Sequence, residues 1–134
     1  MKIHHLALLA LILSAGCPLR AAEEVVPVTK VKRVGVEEYD QLRAKTNAVL
    51  LDVRSAAEFE KGHVPGAVNI DINSSQFTEK ARALDKGKTY LVNCAVGMRS
   101  ARACKKLETM GFTNLFDLAP GFDGWKQAGK PVQK

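Results

Sequence analysis

The 134-residue chain is long enough for one modest domain and too short for two ordinary ones. Its content of 46% hydrophobic and 25% charged residues is typical of a globular protein and excludes a disordered or fibrous one. The formal net charge is +6, but no dense basic stripe of the kind that binds nucleic acid is present. The basic excess suits either small anionic ligands or plain solubility.

The first 22 residues are predicted to be an export leader outside the fold. Lys2 gives a short basic start, and Leu6–Leu13 is an apolar run of signal-peptide length, too short to span a bilayer comfortably. The remaining residues 23–134 are then the folded domain. We expect this domain to be exported to the periplasm.

Two processing routes for the leader remain open. Ser14-Ala15-Gly16-Cys17 resembles a bacterial lipoprotein cleavage box, although such boxes usually carry an aliphatic residue in place of Ser14. Cleavage there would leave a lipid on Cys17 and anchor the protein to a membrane. Cleavage near Ala21 or Ala22 by the ordinary signal peptidase would instead release a soluble protein.

Beyond the leader, short apolar runs alternate with amphipathic stretches, which predicts an α/β fold. We expect a central, mostly parallel five-stranded sheet with helices on both faces. The predicted strands are Val31–Val34, Ala48–Val53, the end of Val64–Ile70, Thr89–Asn93 and Asn114–Leu118. The predicted helices are Val36–Lys45, a short helix from Ser55 to Gly62, one from Ser74 or Ser75 to about Leu84, Ser100–Met110 and Phe122–Gln127.

Two local patterns predict specific contacts in the first of the short helices. Ser55 and Glu58 have the spacing of a capping box, in which each side chain bonds the backbone of the other. Arg54 and Glu58 are four residues apart, which predicts an ion pair.

Cys94 is the residue most suited to chemistry. It follows a predicted strand directly, and ligand sites of open α/β sheets form beyond the carboxyl ends of strands. The loop after it runs into a helix near Ser100, so backbone N–H groups converge on the sulfur and favour the thiolate. Gly97 permits the tight loop, and Arg99 adds a positive charge that either binds an anion or fixes the loop.

The second cysteine of the domain, Cys104, lies on the apolar face of the following helix with Leu107 and Met110. Core packing is the favoured interpretation. The alternative is a resolving thiol that forms a disulfide with oxidised Cys94.

Several segments together resemble the signature of rhodanese domains. They are Leu50–Arg54 (LLDVR), Glu58-Phe59, Gly62–Ile70 (GHVPGAVNI), Cys94–Ser100 (CAVGMRS) and Phe122–Val132 with Trp125, Gly129 and Pro131. One departure is Pro120-Gly121, where the family commonly has two glycines. The short periplasmic rhodaneses of the phage-shock type are the most similar in form.

The resemblance implies a sulfurtransferase with Cys94 as the catalytic nucleophile. The backbone of the loop would bind the transferred sulfur, through Ala95, Val96, Gly97, Met98, Arg99 and Ser100. Asp52 and Arg54 would support the site, and His63 would belong to a structural turn. The substrates would be a small anionic donor such as thiosulfate and a cyanide or thiol acceptor. We expect a monomer with no cofactor, no metal and no nucleic-acid partner.

The length of the loop distinguishes two kinds of enzyme that share this resemblance. Four residues separate Cys94 from Arg99, whereas the related dual-specificity phosphatases have five and a His where this chain has Asn93. A phosphatase is therefore disfavoured. A sulfur carrier that delivers sulfur to a protein partner remains as an alternative. A non-catalytic interaction domain ranks last, because such domains usually lack the loop cysteine.

Overall fold

The computed structural model of the protein describes residues 30–134. The predicted leader, its cleavage sites and Cys17 therefore lie outside the described residues. None of the helices in the described part combines the length and apolar character needed to cross a bilayer.

Five strands alternate with five helices over the described residues. The strands are β1 (Lys30–Val34), β2 (Val49–Asp52), β3 (Val68–Asn69), β4 (Tyr90–Asn93) and β5 (Asn114–Leu118). The helices are α1 (Val36–Lys45), α2 (Ala56–Glu60), α3 (Phe77–Arg82), α4 (Met98–Thr109) and α5 (Gly121–Gln127). The strands form one sheet in the order β1-β5-β4-β2-β3, and every pairing is parallel. This confirms the predicted α/β fold with a five-stranded sheet.

The sheet separates two apolar clusters because successive side chains of a strand point to opposite faces. On one face, Val92 and Leu115 pack in a cluster with residues of α3 and α4, among them Phe77 and Leu107. On the other face, Leu91 packs in a cluster with Tyr39 of α1 and with Trp125 of α5. Helices cover both faces, as predicted, and the central strand β4 is buried along its whole length.

Most boundaries agree with the predictions within two residues, and two of the differences have local causes. Helix α4 begins at Met98, two residues before the predicted start, because Gly97 adopts a left-handed conformation (φ 91°) and turns the chain directly into the helix. The N-cap of α3 is Gln76, not Ser74 or Ser75, and the helix ends at Arg82. The Ser74 hydroxyl instead accepts a bond from the N–H of Gln76 in the turn before the helix.

The predicted capping box is confirmed, whereas the predicted ion pair is wrong. Ser55 caps α2, and its hydroxyl accepts a hydrogen bond from the backbone N–H of Glu58. The Glu58 carboxylate in turn accepts one from the backbone N–H of Ser55. Arg54 does not pair with Glu58. It pairs with Asp52, because both side chains emerge from the end of β2 into the buried space under α2.

Candidate functional site

The site lies at the carboxyl end of β4, between its neighbours β2 and β5. Cys94 is the first residue after this strand, and helix α4 begins only four positions later at Met98. The intervening loop places the backbone N–H groups of the helix start around the cysteine, where the partial positive charge of the helix N-terminus is greatest. The connection between strand and helix therefore builds a cradle for a negatively charged sulfur.

The Cys94 sulfur is buried and held by polar groups of its own loop. The N–H of Gly97 donates to Sγ at 3.1 Å, and the Ser100 hydroxyl lies 3.4 Å from Sγ. Burial raises the pKa of Cys94, but hydrogen bonds from the Ser100 hydroxyl and from the N–H groups of Ser100, Val96 and Gly97 outweigh it and lower the pKa. The loop thus favours the thiolate, the nucleophilic form of the side chain.

The start of α5 fixes the backbone of this loop from the other side. The N–H of Phe122 donates to the Cys94 carbonyl at 2.7 Å, and the N–H of Asp123 donates to the Ala95 carbonyl at 3.0 Å. These bonds direct the carbonyl groups of the loop away from the sulfur, so that its N–H groups face inward. The rhodanese-like segment at α5 therefore serves to shape the loop.

Arg99 binds a carboxylate of the protein. Its guanidinium donates two hydrogen bonds of 2.8 Å to Glu58, and this ion pair joins the first turn of α4 to α2. The hydrogen bonds from Arg99 are the main reason that the pKa of Glu58 falls from 4.5 to about 2. Of the two roles considered for Arg99, the geometry favours fixing the loop.

Asp52 and Arg54 form a buried ion pair at the end of β2, next to the strand that carries Cys94. The Arg54 guanidinium donates to Asp52 Oδ2 at 2.7 Å and to the Gly62 carbonyl at 2.8 Å. Its guanidinium carbon lies 4.3 Å from the centre of the Phe122 ring. The N–H of Phe122 also donates to the Cys94 carbonyl, so the pair contacts a residue that bonds the loop.

His63 and Cys104 take structural positions. The His63 ring stacks on Phe59 with centroids 3.7 Å apart, and its Nδ1 lies 2.9 Å from the Phe59 carbonyl. Cys104 is fully buried in the apolar cluster between α4 and the sheet, and this burial raises its pKa. Core packing of Cys104 is confirmed, and its pKa shifts in the opposite direction to that of Cys94.

The outer surface of the loop and a nearby cavity face the solvent. Val96 and Met98 expose 58% and 78% of their surface, although Cys94 in the same loop is buried. A cavity of about 220 Å³ is lined by Arg54, Glu58, Lys61, Gly62, Phe122, Lys126 and Val132. Three of its lining side chains are cationic and one, Glu58, is anionic, so the lining carries a net positive charge that suits a small anion.

Two residues near the loop were not predicted from the sequence. Arg33 of β1 is within 3.5 Å of the Gly97 carbonyl, and Asp117 of β5 lies buried next to Ser100. Neither belongs to a local motif. Both reach the site only because β5 lies next to β4 and β1 lies next to β5. Within residues 30–134, no group of three or more His, Cys, Asp or Glu side chains is placed to hold a metal ion.

Known proteins match this chain over most of the described fold. The rhodanese-like domain family matches residues 35–128. The thiosulfate sulfurtransferase GlpE of Pseudomonas savastanoi is 35% identical over 100 residues, which are 74% of this chain and 91% of that protein. YrkF of Bacillus subtilis, provisionally named a sulfur carrier protein, is 32% identical over 76 residues, 57% of this chain and 40% of that protein.

The same similarity holds in three dimensions. The crystal structure of a rhodanese-related protein from Thermoplasma volcanium superposes with a TM-score of 0.68 at 29% identity, and covers 76% of this chain and 97% of that one. The chain belongs to the rhodanese-like domain family, whose similar members here are named for sulfur transfer.

Proposed function

We propose that this protein is a thiosulfate sulfurtransferase, which moves a sulfane sulfur from an anionic donor to cyanide or a thiol through a persulfide on Cys94. The observation that carries the proposal is the Cys94 sulfur, buried within a ring of N–H donors that lowers its pKa. Such a cradle stabilises a sulfur anion without needing a separate base.

The reaction proceeds in two displacements. The Cys94 thiolate attacks the outer sulfur of thiosulfate, a new S–S bond forms, and the old S–S bond breaks as sulfite leaves with its electron pair. The negative charge then rests on the outer sulfur of the persulfide, where the loop N–H groups can reach it. In the second step a thiophile attacks this outer sulfur and regenerates the Cys94 thiolate.

The cationic cavity next to Phe122 is the proposed binding place for the anionic donor. Arg54 is engaged by Asp52, and Lys126 lies 3.3 Å from Asp123 in an exposed ion pair. Lys61 is therefore the cation of the lining best placed to attract a dianion from solution. Electrostatic attraction of this kind raises the rate of encounter and weakens with salt.

A sulfur carrier that passes its sulfur to a protein is the second candidate. The exposed apolar side chains of Val96 in the loop and Met98 at the start of α4 favour the carrier, because a protein acceptor could pack against them. The similarity to YrkF agrees with it. Fast turnover with thiosulfate and cyanide favours the enzyme, whereas formation of the persulfide with slow release to both cyanide and small thiols favours the carrier.

Export to the periplasm, as a free or lipid-anchored monomer, is part of the proposal and rests on the leader sequence alone. Intact-mass spectrometry of the protein isolated from its own cells measures the mature N-terminus and any lipid on Cys17. A protein that still carries residues 1–22 would contradict the proposed export.

The same measurement tests the nucleophile. After treatment with thiosulfate, we expect a mass increase of about 32 Da on Cys94, one sulfur atom. Cys94→Ser should lose both this adduct and thiocyanate formation, because a serine hydroxyl does not ionise in the cradle. Cys104→Ala is the matched control and should retain both, since Cys104 is a core side chain. Turnover in Cys94→Ser, or an adduct on Cys104, would overturn the assignment.

A further inference from the structure

Asp117 is a buried carboxylate with only a loose ion pair to balance its charge. Its side chain is 0% exposed, and neither carboxylate oxygen accepts a well-formed hydrogen bond from the described residues. The nearest cation is Arg33, whose Nε lies 3.5 Å from Oδ2 while its own side chain is 53% exposed. A carboxylate left this way is costly to bury, so its position calls for an explanation.

The sheet and α4 place Asp117 beside the catalytic loop. Asp117 is paired in register with Val92 on β4, two residues before Cys94. Ser100 of α4 is also fully buried, and its hydroxyl lowers the pKa of Asp117, against the larger effect of burial that raises it. The same hydroxyl lies 3.4 Å from Cys94 Sγ. The Ser100 hydroxyl therefore has two acidic side chains, Cys94 and Asp117, as possible acceptors and one hydrogen to donate.

The other ionisable groups around Asp117 are few. Arg33 on β1 lowers the pKa of Asp117. Two other ionisable groups interact with Asp117 electrostatically, Tyr39 of α1 and Cys104 of α4. The adjoining cavity is lined by three further ionisable side chains of α4, Arg102, Lys105 and Glu108. Tyr39 and Cys104 are buried groups whose pKa values are raised by burial, so both stay neutral near Asp117. Ser100 connects Asp117 to the sulfur directly, whereas Arg33 reaches the loop at the Gly97 carbonyl.

We propose that Asp117 is a positioning residue that competes with Cys94 for the hydrogen bond of the Ser100 hydroxyl. In the free enzyme the hydroxyl donates to the thiolate. Once the persulfide forms, the charge moves to the outer sulfur and Sγ becomes a weak acceptor. The hydroxyl is then free to turn to Asp117. Ionised Asp117 thereby favours the persulfide over the free thiolate and restrains ionisation of the thiol.

The inference rests on the proposed function for the persulfide, but its test reads the thiolate directly. The rate of Cys94 alkylation by iodoacetamide is measured against pH in the full-length protein, with Cys104 replaced by Ala throughout. Asp117→Asn keeps the shape of the side chain and removes the competing charge. We expect its alkylation midpoint to move to lower pH, so that the rate below the midpoint rises about threefold or more.

A double-mutant comparison separates the hydrogen bond from the charge itself. Ser100→Ala alone should move the midpoint to higher pH, because the thiolate loses a donor. In the Ser100→Ala background, Asp117→Asn should have less than half of its effect. An unchanged midpoint in Asp117→Asn, or an equal shift in both backgrounds, would overturn the proposal.

Two further measurements keep the result unambiguous. Glu79→Gln removes an exposed carboxylate on α3 and should leave the midpoint unchanged. Asp117→Ser replaces Asp117→Asn if the latter does not fold, with the same expected direction. Thiosulfate plays no part in the alkylation, so the two hypotheses are tested separately. Absence of a persulfide in the wild-type protein would refute the proposed function. The alkylation data alone decide the positioning role of Asp117.

Discussion

Glu58 shows how one side chain serves two structural tasks at the site. It caps α2 through Ser55 and binds Arg99 at the start of α4, so the helix cap and the loop share one carboxylate. Hydrogen bonds from Arg99 hold the pKa of Glu58 at about 2, below its ordinary value of 4.5. A carboxylate with a lowered pKa stabilises the folded state above its unfolded pKa, and this contribution disappears as pH falls through the folded pKa.

Glu58→Gln is therefore expected to destabilise the protein at neutral pH and to have less effect as pH falls from about 4.5 to about 2. Glu58 is 38% exposed, so solvent screens the pair and the loss at pH 7 should not exceed about 1 kcal/mol. Urea unfolding at pH 7 and near pH 2.5 measures the difference in the free energy of unfolding between Glu58→Gln and the wild-type protein. Glu79→Gln is the control, and a Glu58→Gln effect independent of pH would contradict the assignment of the ion pair.

The loop between β4 and α4 depends on two close backbone contacts. Gly97 has a φ of +91°, and a Cβ placed on it would lie 2.0 Å from the Ala119 carbonyl oxygen. Gly121 has a φ of +64°, and its Cβ would lie 2.3 Å from the Ala95 carbonyl oxygen. Rhodanese domains commonly have two glycines where this chain has Pro120-Gly121. Gly121, the glycine that is kept, is the one that the packing of α5 against the loop requires.

Gly97→Ala tests this packing, with Gly66→Ala as its matched control. Gly66 also has a positive φ, +84°, but no atom lies within 4 Å of its Cβ position. Both variants should lose about 1 kcal/mol to the left-handed backbone, and Gly97→Ala a further 1–3 kcal/mol, roughly, to overpacking. Thermal unfolding and Cys94 alkylation measure the two effects. Equal losses in the two variants would show that the Ala119 contact is unimportant.

At the scale of the whole molecule, the C-terminal residues close the domain. The Trp125 indole N–H donates to the Pro131 carbonyl at 2.7 Å. The backbones of His63 and Gln133 exchange hydrogen bonds of 2.8 Å and 2.9 Å in an antiparallel bridge. Through these bonds the tail joins α5 to the turn before β3, far apart in the sequence.

Removal of residues 131–134 should therefore lower stability by about 1–3 kcal/mol, because the buried indole N–H of Trp125 loses its acceptor. Removal of Lys134 alone is the control and should be nearly neutral. Urea unfolding of both variants measures the difference. A tail deletion as stable as the control would mean that water satisfies the indole without cost.

The family, the order of strands and helices, and the position of Cys94 could all be predicted from the sequence. Periodicity identifies the strands because one buried face demands apolar residues at fixed spacing, as in Tyr90–Asn93. The capping box at Ser55 and Glu58 was predictable because both partners lie within one turn.

The tertiary structure alone decided which distant side chains meet. Arg54 and Glu58 have the spacing of an ion pair but do not bind each other. Arg54 pairs with Asp52 at the end of β2, and Glu58 pairs with Arg99 of α4. Asp117 reaches Ser100 only because β5 lies next to β4. Local physical chemistry determines helices, caps and the reactive cysteine, whereas contacts between strands and helices far apart in the chain depend on how the sheet is ordered.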